Sequence, residues 1–361
     1  MLILLPGANP ALQPPETFAR CVALMAMALQ WNVDANLAFS GHDVMDLSYS
    51  QNMEDYHLWL AFGGERTGSY IDIGAGHPIA DNVSFFFYER GWQGVVVEPQ
   101  PNLVDLYSRL RPRDTRVCSL IGTRRGLVDF HAFGEFHGLS TASELHVVAA
   151  RSFGATSRIM QVPMIGLAEL CENYATTSID FLKVDVEGAE ADVLMSGDWD
   201  RFRPKIVIVE AITPVTSAPS WEEWEPFLLA RGYRFVLFDT LNRFYVAEEQ
   251  PQLAAQFPRE RAPWDSVRHM YEIGRAPENR NHPEHTLAQV LATGFWATLP
   301  YLDRQLVAEI LNRGRRTSNS VADLALLSLD TEEFRAQLGR IACGYDGGQI
   351  YSENSSDERK D

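Results

Sequence analysis

From residue 70 onward, short runs of consecutive apolar residues alternate with longer stretches in which apolar positions recur every three or four residues. The runs are 70–73, 94–98, 116–121, 179–185, 206–210 and 233–238. Runs of that length without alternation predict strands covered on both faces. Amphipathic segments between them, such as 83–90 and 103–110, supply the covering helices. A seventh run, 244–247, follows the sixth after only residues 239–243, and so short a link permits only an antiparallel hairpin. The pattern predicts an α/β fold with a Rossmann-like, seven-stranded, mostly parallel sheet and an antiparallel last hairpin.

Outside this series the pattern is helical. Residues 1–15 read as an arm rich in proline and small residues, and 16–31 as a helix. Ser50 stands where it could cap a helix that carries Tyr56, Leu58, Trp59, Leu60 and Phe62 and stops at Gly63-Gly64. After residue 252, helices are expected at 285–295, 302–312 and 321–338, broken at Pro300 and Gly314, before a polar tail from 344 that is expected to be disordered. The expected divisions are 1–48 for the arm and helix, 49–251 for the α/β domain, 252–343 for a helical extension able to support a homodimer, and 344–361 for the tail.

Charge and composition then narrow the partners. The 361 residues carry 31 basic and 48 acidic side chains, a formal charge of −17, and so acidic a surface repels phosphate backbones and excludes nucleic acid as a natural substrate. Four cysteines, at 21, 118, 171 and 343, have no zinc or redox spacing and read as reduced thiols of a cytoplasmic protein. Arg20 interrupts the apolar run 18–29, and no segment reaches the roughly 20 apolar residues that span a bilayer. That run also lacks a basic flank and a cleavage site, so no signal peptide is expected.

Candidate chemistry gathers at strand ends. In Tyr70-Ile71-Asp72-Ile73-Gly74-Ala75-Gly76 a buried strand ends in an acid and a Gly-x-Gly turn before a helix. Glycine suits a backbone that a ligand approaches closely, and Asp72 suits a ligand bearing an ammonium group. The third glycine of a dinucleotide fingerprint is replaced by Ile79, after Pro78, which disfavours a nicotinamide cofactor. Glu98, ending the next strand before Pro99, is placed to accept hydrogen bonds from ribose hydroxyls. Ser119, Leu120 and Ile121 end the third strand, where an adenine ring would rest. These features point to S-adenosylmethionine and to the class I methyltransferase layout, with Asp72, Gly74, Gly76, Glu98, Ser119, Leu120 and Asp185 as cofactor-binding candidates. The plainer reading of the turn is a strand–helix connection, and that of Glu98 a solvated charge.

The fourth strand runs Phe181-Leu182-Lys183-Val184-Asp185-Val186-Glu187-Gly188-Ala189-Glu190. Ligands of open α/β sheets bind outside the carboxyl ends of strands, where Asp185 falls. An alcohol nucleophile needs a proton acceptor within hydrogen-bond reach, and Asp185, Glu210 and His77 are the candidates. Asp185, Glu187 and Glu210 could instead offer hard oxygen ligands to Mg²⁺, a less favoured reading than a metal-free site. Glu190 is better read as complementing a helix dipole.

At these residues the sequence resembles the FkbM family of methyltransferases, over about 49–251. The resemblance rests on the order of Ser50-Gln51-Asn52-Met53-Glu54-Asp55, Ile71-Asp72-Ile73-Gly74-Ala75, Phe87-Tyr88-Glu89-Arg90-Gly91-Trp92 with Val97-Glu98-Pro99, Gly138-Leu139-Ser140-Thr141, residues 181–190, and Leu241-Asn242-Arg243-Phe244-Tyr245. It implies S-adenosylmethionine as donor and O-methylation, often of sugar hydroxyls in glycans or glycosylated metabolites. Gly76 stands where the family often has Asn, and Ile165-Gly166 where it commonly has Arg-Thr. The resemblance brings in Gln51 and Asp55 at the cofactor's polar end, and Ser140, Glu187, Asn242 and Arg243 toward the substrate. Asn242 also suits a tight turn, and Ser50 to Asp55 also suit a helix start. His131 and His137 are further candidate bases, although a lone histidine is more often structural. Trp221 and Trp224 could stack on a sugar, but core packing is the better reading. The competing functional class is a catalytically silent S-adenosylmethionine-binding module.

Overall fold

A computed structural model describes residues 47–65, 67–133, 140–143, 147–148, 157–175, 178–213, 218–272, 274–317 and 331. The helices expected at 16–31 and 321–338, His137 and the tail lie outside these residues. The chain divides into two units, of which one is Asp43–Glu272 and the other contributes 274–317 to the description.

Among the described residues the first unit holds twelve strands: β1 (Leu47–Ser48), β2 (Ser69–Ile73), β3 (Gln93–Val97), β4 (Thr115–Val117), β5 (Leu120–Ile121) and β6 (Gly126–Phe133). They are followed by β7 (Ser157–Ile165), β8 (Phe181–Val184), β9 (Ile206–Glu210), β10 (Tyr233–Phe238), β11 (Asn242–Ala247) and β12 (Arg268–His269). Seven form the main sheet in the order β4-β3-β2-β8-β9-β11-β10. β4, β3, β2, β8 and β9 run parallel, and β11 is antiparallel to both its neighbours. The expected seven-stranded α/β fold is therefore observed, with the strand order of class I methyltransferases.

Both faces of this sheet are covered, as the apolar runs require. Ile71, Val95, Leu182 and Val207 pack under the helices Leu167–Tyr174 and Glu190–Met195. Their chain neighbours Tyr70, Val96, Phe181 and Ile206 point the other way, toward the helices Glu54–Phe62 and Val83–Glu89. Phe86, Phe87, Trp92 and Phe181 are fully buried on that side, each contributing about 2 kcal/mol of apolar transfer. The order of the sheet reverses between β2 and β8, which opens a crevice at their carboxyl ends.

Several expected elements differ. The run 116–121 splits into β4, in the main sheet, and β5, which joins β7 and β6 in a second, three-stranded sheet. That sheet was not legible because β6 and β7 are largely exposed on one side and carry no apolar run. The last strand begins at Asn242 rather than 244, since Asn242 pairs with Glu210 of β9. The residue at the start of the helix Glu54–Phe62 is Met53 rather than Ser50, in a left-handed conformation with φ 63°, while the Ser50 hydroxyl accepts the first-turn N–H of Asp55 at 3.3 Å. Residues 252–272, expected to open the C-terminal extension, return to this unit. Leu253, Phe257 and Val267 enter its core, and β12 pairs in parallel with β1.

In the second unit, the helix His285–Thr298 leads through a 3-10 turn at Leu299–Tyr301, which contains Pro300, to the helix Arg304–Thr317. Gly314 lies inside that last helix rather than breaking it, the roughly 1 kcal/mol cost of an internal glycine being insufficient to stop it. No helix among the described residues is long and apolar enough to cross a membrane.

Candidate active site

A cleft of about 610 Å³ opens at the carboxyl ends of β2, β3, β8 and β9. Its floor is the turn after β2. Gly74 and Ala75 donate their N–H groups to the Val97 carbonyl at 3.0 and 3.1 Å, which holds the turn against β3. Gly76 sits at φ +60° with nothing within 4 Å of where a Cβ would stand, so its backbone faces open space. Gly74, at φ +74°, is different: a Cβ there would lie 1.6 Å from the carbonyl oxygen of Asp185. Its glycine is demanded by the neighbouring strand, not by a ligand alone.

Glu98 ends β3 with 4% of its surface exposed. One oxygen accepts the Gly76 N–H at 3.0 Å and the other the Gln100 N–H at 2.9 Å. Each retains a lone pair, so the carboxylate can still accept two hydroxyl donors from the cleft. Beyond it the wall is apolar, from Leu120, Ile121, Phe130 and Met164, a surface suited to a flat ring. Phe130 and Met164 come from the second sheet, so sequence reading missed them. The Ser119 hydroxyl is turned to the carbonyls of Leu120 and Pro163, both at 2.9 Å.

At the other end three carboxylates converge. Oxygens of Asp185, Glu187 and Glu210 lie within 4.8 Å of one another, because β8 and β9 end side by side with Val184 opposite Val209. Burial, then the Asp185 and Glu190 charges, pushes Glu187 up to about 9. Burial first, then the same neighbours together with Glu187, holds Glu210 well above the usual carboxylate range. Lys183 is the residue sequence reading passed over. Its ammonium is 2.8 Å from Asp185 Oδ2, and it lines the cleft although its side chain is 6% exposed. Burial favours its neutral form, but Asp185, Asp72 and Glu54 outweigh that and keep it a cation. A lone lysine inside an otherwise apolar strand was the available signal.

Gln51, His77 and Ser140 also reach the cleft. The His77 ring accepts the N–H groups of Ile79 and Ala80 at 3.1 and 3.0 Å through Nδ1, so that nitrogen shapes the turn rather than serving as a base. Glu190 opens its helix, where one carboxylate oxygen accepts the Gly188 and Val186 N–H groups. His131 is buried beside Ser157 in the second sheet, away from the cleft lining. Trp224 is buried in the core.

Four expected site residues do not line the cleft. Asp55 is buried beneath the segment before the first helix and bonded to Ser48, Ser50 and Tyr49. Asp72 is buried below the turn, where Ser84 donates to one oxygen and the other has no partner. Asn242 is buried and donates to Glu54 at 2.7 Å. Arg243, being in strand rather than turn, points to the opposite face, where it pairs with Glu225 at 2.5 Å and stacks on Phe235. Strand alternation separates the last two side chains.

The buried acids set a direction for pH dependence. Burial pushes Glu98 and Glu190 up to about 7, and Glu54 to about 8 with Asp239 as the second cause. The folded chain thus keeps protons that the unfolded chain has released, so this contribution is full below about pH 4.5 and declines as pH rises from there to about 7 for Glu98 and Glu190 and about 8 for Glu54. Each such proton changes stability by about 1.4 kcal/mol per pH unit between those limits. The melting temperature of the ligand-free protein is expected to fall from pH 5 to pH 8 at fixed ionic strength. A flat or rising profile by scanning fluorimetry would contradict it.

A parallel sheet closed by an antiparallel hairpin, with a glycine turn and a strand-end acid at its switch point, defines a class I methyltransferase. Residues 72–235 of this chain match the methyltransferase FkbM domain. Its donor is accordingly S-adenosylmethionine, as the sequence led us to expect, and Glu98, the open Gly76 backbone and the apolar wall fit its ribose and adenine. Three solved structures are similar to this chain. A TehB-like SAM-dependent methyltransferase from Corynebacterium glutamicum is 11% identical, covering 62% of this chain and 97% of that one, with a TM-score of 0.28. An O-methyltransferase from Bacillus cereus in complex with SAH is 14% identical, covering 66% and 93%, with a TM-score of 0.30. The 1,6-didemethyltoxoflavin-N1-methyltransferase of Burkholderia thailandensis is 11% identical, covering 66% and 93%, with a TM-score of 0.28. No curated protein matches the sequence.

Proposed function

We propose that this methyltransferase acts on a hydroxyl group, and that the hydroxyl belongs to a sugar in a glycan or glycosylated metabolite. The observation that carries the proposal is the convergence of Asp185, Glu187 and Glu210 beside Lys183 at the cleft's open end. A sugar hydroxyl is a weak acid and must release its proton as the new bond forms, so an acceptor has to lie within hydrogen-bond reach. Asp185 and Glu210 are the two groups placed to take it, with Lys183 orienting Asp185. Several carboxylate oxygens in one small region also match a ligand that presents several hydroxyl donors. Bound in the cleft, S-adenosylmethionine supplies a methyl group on a positively charged sulfur. Glu98 and the glycine turn hold that donor, and the wall of Ile121, Phe130 and Met164 keeps water from it.

The test is a screen of glycosylated acceptors with mass detection of the adduct. A gain of one methyl on oxygen supports the proposal. Methylation of nitrogen alone, or donor binding without turnover on any acceptor, refutes it. The same three carboxylates are spaced for a divalent cation, but Lys183 already provides a positive charge against Asp185. Activity is therefore expected to survive EDTA unchanged, and a loss restored by Mg²⁺ would overturn the metal-free reading.

A further inference from the structure

Beyond residues 72–235, the part that matches the FkbM domain, the chain comes back to the rim of the cleft. β12 pairs in parallel with β1 and runs into a 3-10 turn, Met270–Glu272. Strand alternation turns Val267 and His269 inward, where both are buried, and leaves Arg268 exposed. The His269 ring is fixed through both of its nitrogens. Nδ1 accepts the Tyr271 N–H at 3.3 Å, so Nε2 carries the proton and donates to the Ser50 carbonyl.

A ring fixed in this way backs two aromatic neighbours. Tyr271 lies nearly parallel to it, with centroids 4.9 Å apart and planes inclined by 25°. Trp264 meets it edge-on at 6.3 Å. Both are exposed, Tyr271 by 60% and Trp264 by 44%. The Tyr271 hydroxyl donates to Asp81 Oδ2 at 2.6 Å, and Asp81 lines the cleft. The tyrosine is thus held at two points while much of its ring stays in water. A ring that served packing alone would gain more from being covered.

An open aromatic face beside a carboxylate matches one ligand chemistry. A pyranose presents C–H groups on a face and hydroxyls around its edge. The C–H groups are attracted to the negative face of an aromatic ring. Asp81 has lone pairs beyond the one that Tyr271 uses and can accept a hydroxyl. A purely apolar ligand would have no use for that acid.

We infer that Tyr271 forms a second saccharide subsite at the rim of the cleft, where the sugar ring next to the methylated one stacks on its open face and donates a hydroxyl to Asp81. This rests on the reading that the acceptor is a sugar, and the experiment tells the two apart. With S-adenosylmethionine as donor, kcat/KM is measured on methyl glycosides of hexoses and deoxyhexoses, and on disaccharides that extend each by one ring. The readout is the ratio of disaccharide to monosaccharide for wild type, Tyr271→Ala and Tyr271→Phe. Both acceptors use the same donor and the same folded molecules, so a loss of either cancels from the ratio. Wild type should favour the disaccharide, and Tyr271→Ala should cut that preference about fivefold, the size of one aromatic contact. Tyr271→Phe keeps the ring on His269 and should retain most of the preference. No preference in wild type, a ratio unmoved by Tyr271→Ala, or a fall as deep in Tyr271→Phe as in Tyr271→Ala would each overturn the inference. Wild type that methylates none of these sugars would instead refute the saccharide reading, and this inference with it.

Discussion

Gly74→Val is expected to abolish folding, not merely donor binding. The Cβ would stand 1.6 Å from the Asp185 carbonyl oxygen and 2.8 Å from its carbon, and the residue holds φ +74°, where a β-branched side chain is strained. Neither backbone can withdraw freely. Gly74 N–H is bonded to Val97 at 3.0 Å, and Asp185 N–H to the Ile73 carbonyl at 3.1 Å, so moving either pulls a strand of the main sheet. Such an overlap costs several kcal/mol, comparable with the 5–15 kcal/mol that hold a typical protein folded. Gly76→Ala provides the contrast, since its Cβ would meet nothing within 4 Å. Its cost is the left-handed backbone alone, about 1 kcal/mol. Far-UV circular dichroism melts should show no cooperative transition for Gly74→Val and a drop of a few degrees for Gly76→Ala. A Gly74→Val protein that melts like wild type would refute the close approach of β2 and β8.

Asp185→Asn is expected to lower kcat by about 10²- to 10⁴-fold, the range associated with a lost general base. The change is isosteric, and Lys183 keeps Asp72 and Glu54 as partners among the charges that surround it. Melting temperature and affinity for S-adenosylhomocysteine should therefore move little. Steady-state rates with a saturating acceptor, set beside Glu210→Gln, decide which carboxylate takes the proton. An unaltered kcat in Asp185→Asn would remove that residue from the chemistry, and a larger fall in Glu210→Gln would pass the role to its neighbour.

Some of the site was readable in the chain because its residues are consecutive. The turn Gly74-Ala75-Gly76, Glu98 at a strand end and the Asp185–Glu187 stretch each follow an apolar run that announces where its strand stops. The cleft brings these together as expected. Lys183 was visible as an anomaly within such a run; its ion pair is with Asp185 two residues on, and only the structure shows Asp72 opposite it in register on β2 and β8. Asn242 and Arg243 were misplaced by a shift of two residues in the start of β11. That shift turned a supposed turn into a strand and sent the two side chains to opposite faces.

The linear order of apolar runs determined the strands of the main sheet, their mostly parallel sense and the antiparallel hairpin, because periodicity and turn length are local properties. Only the tertiary structure decided that Gly74 answers to Asp185 and that β5 leaves the main sheet for a second one, which lends Phe130 and Met164 to the cleft's apolar wall. It alone decided, too, that Asp55 and Asn242 are buried and bonded within the fold instead of lining the cleft. Each of those outcomes depends on which residues distant in the chain are forced to share a buried space, and a buried polar group must find its partner there, whatever its own neighbours in sequence suggest.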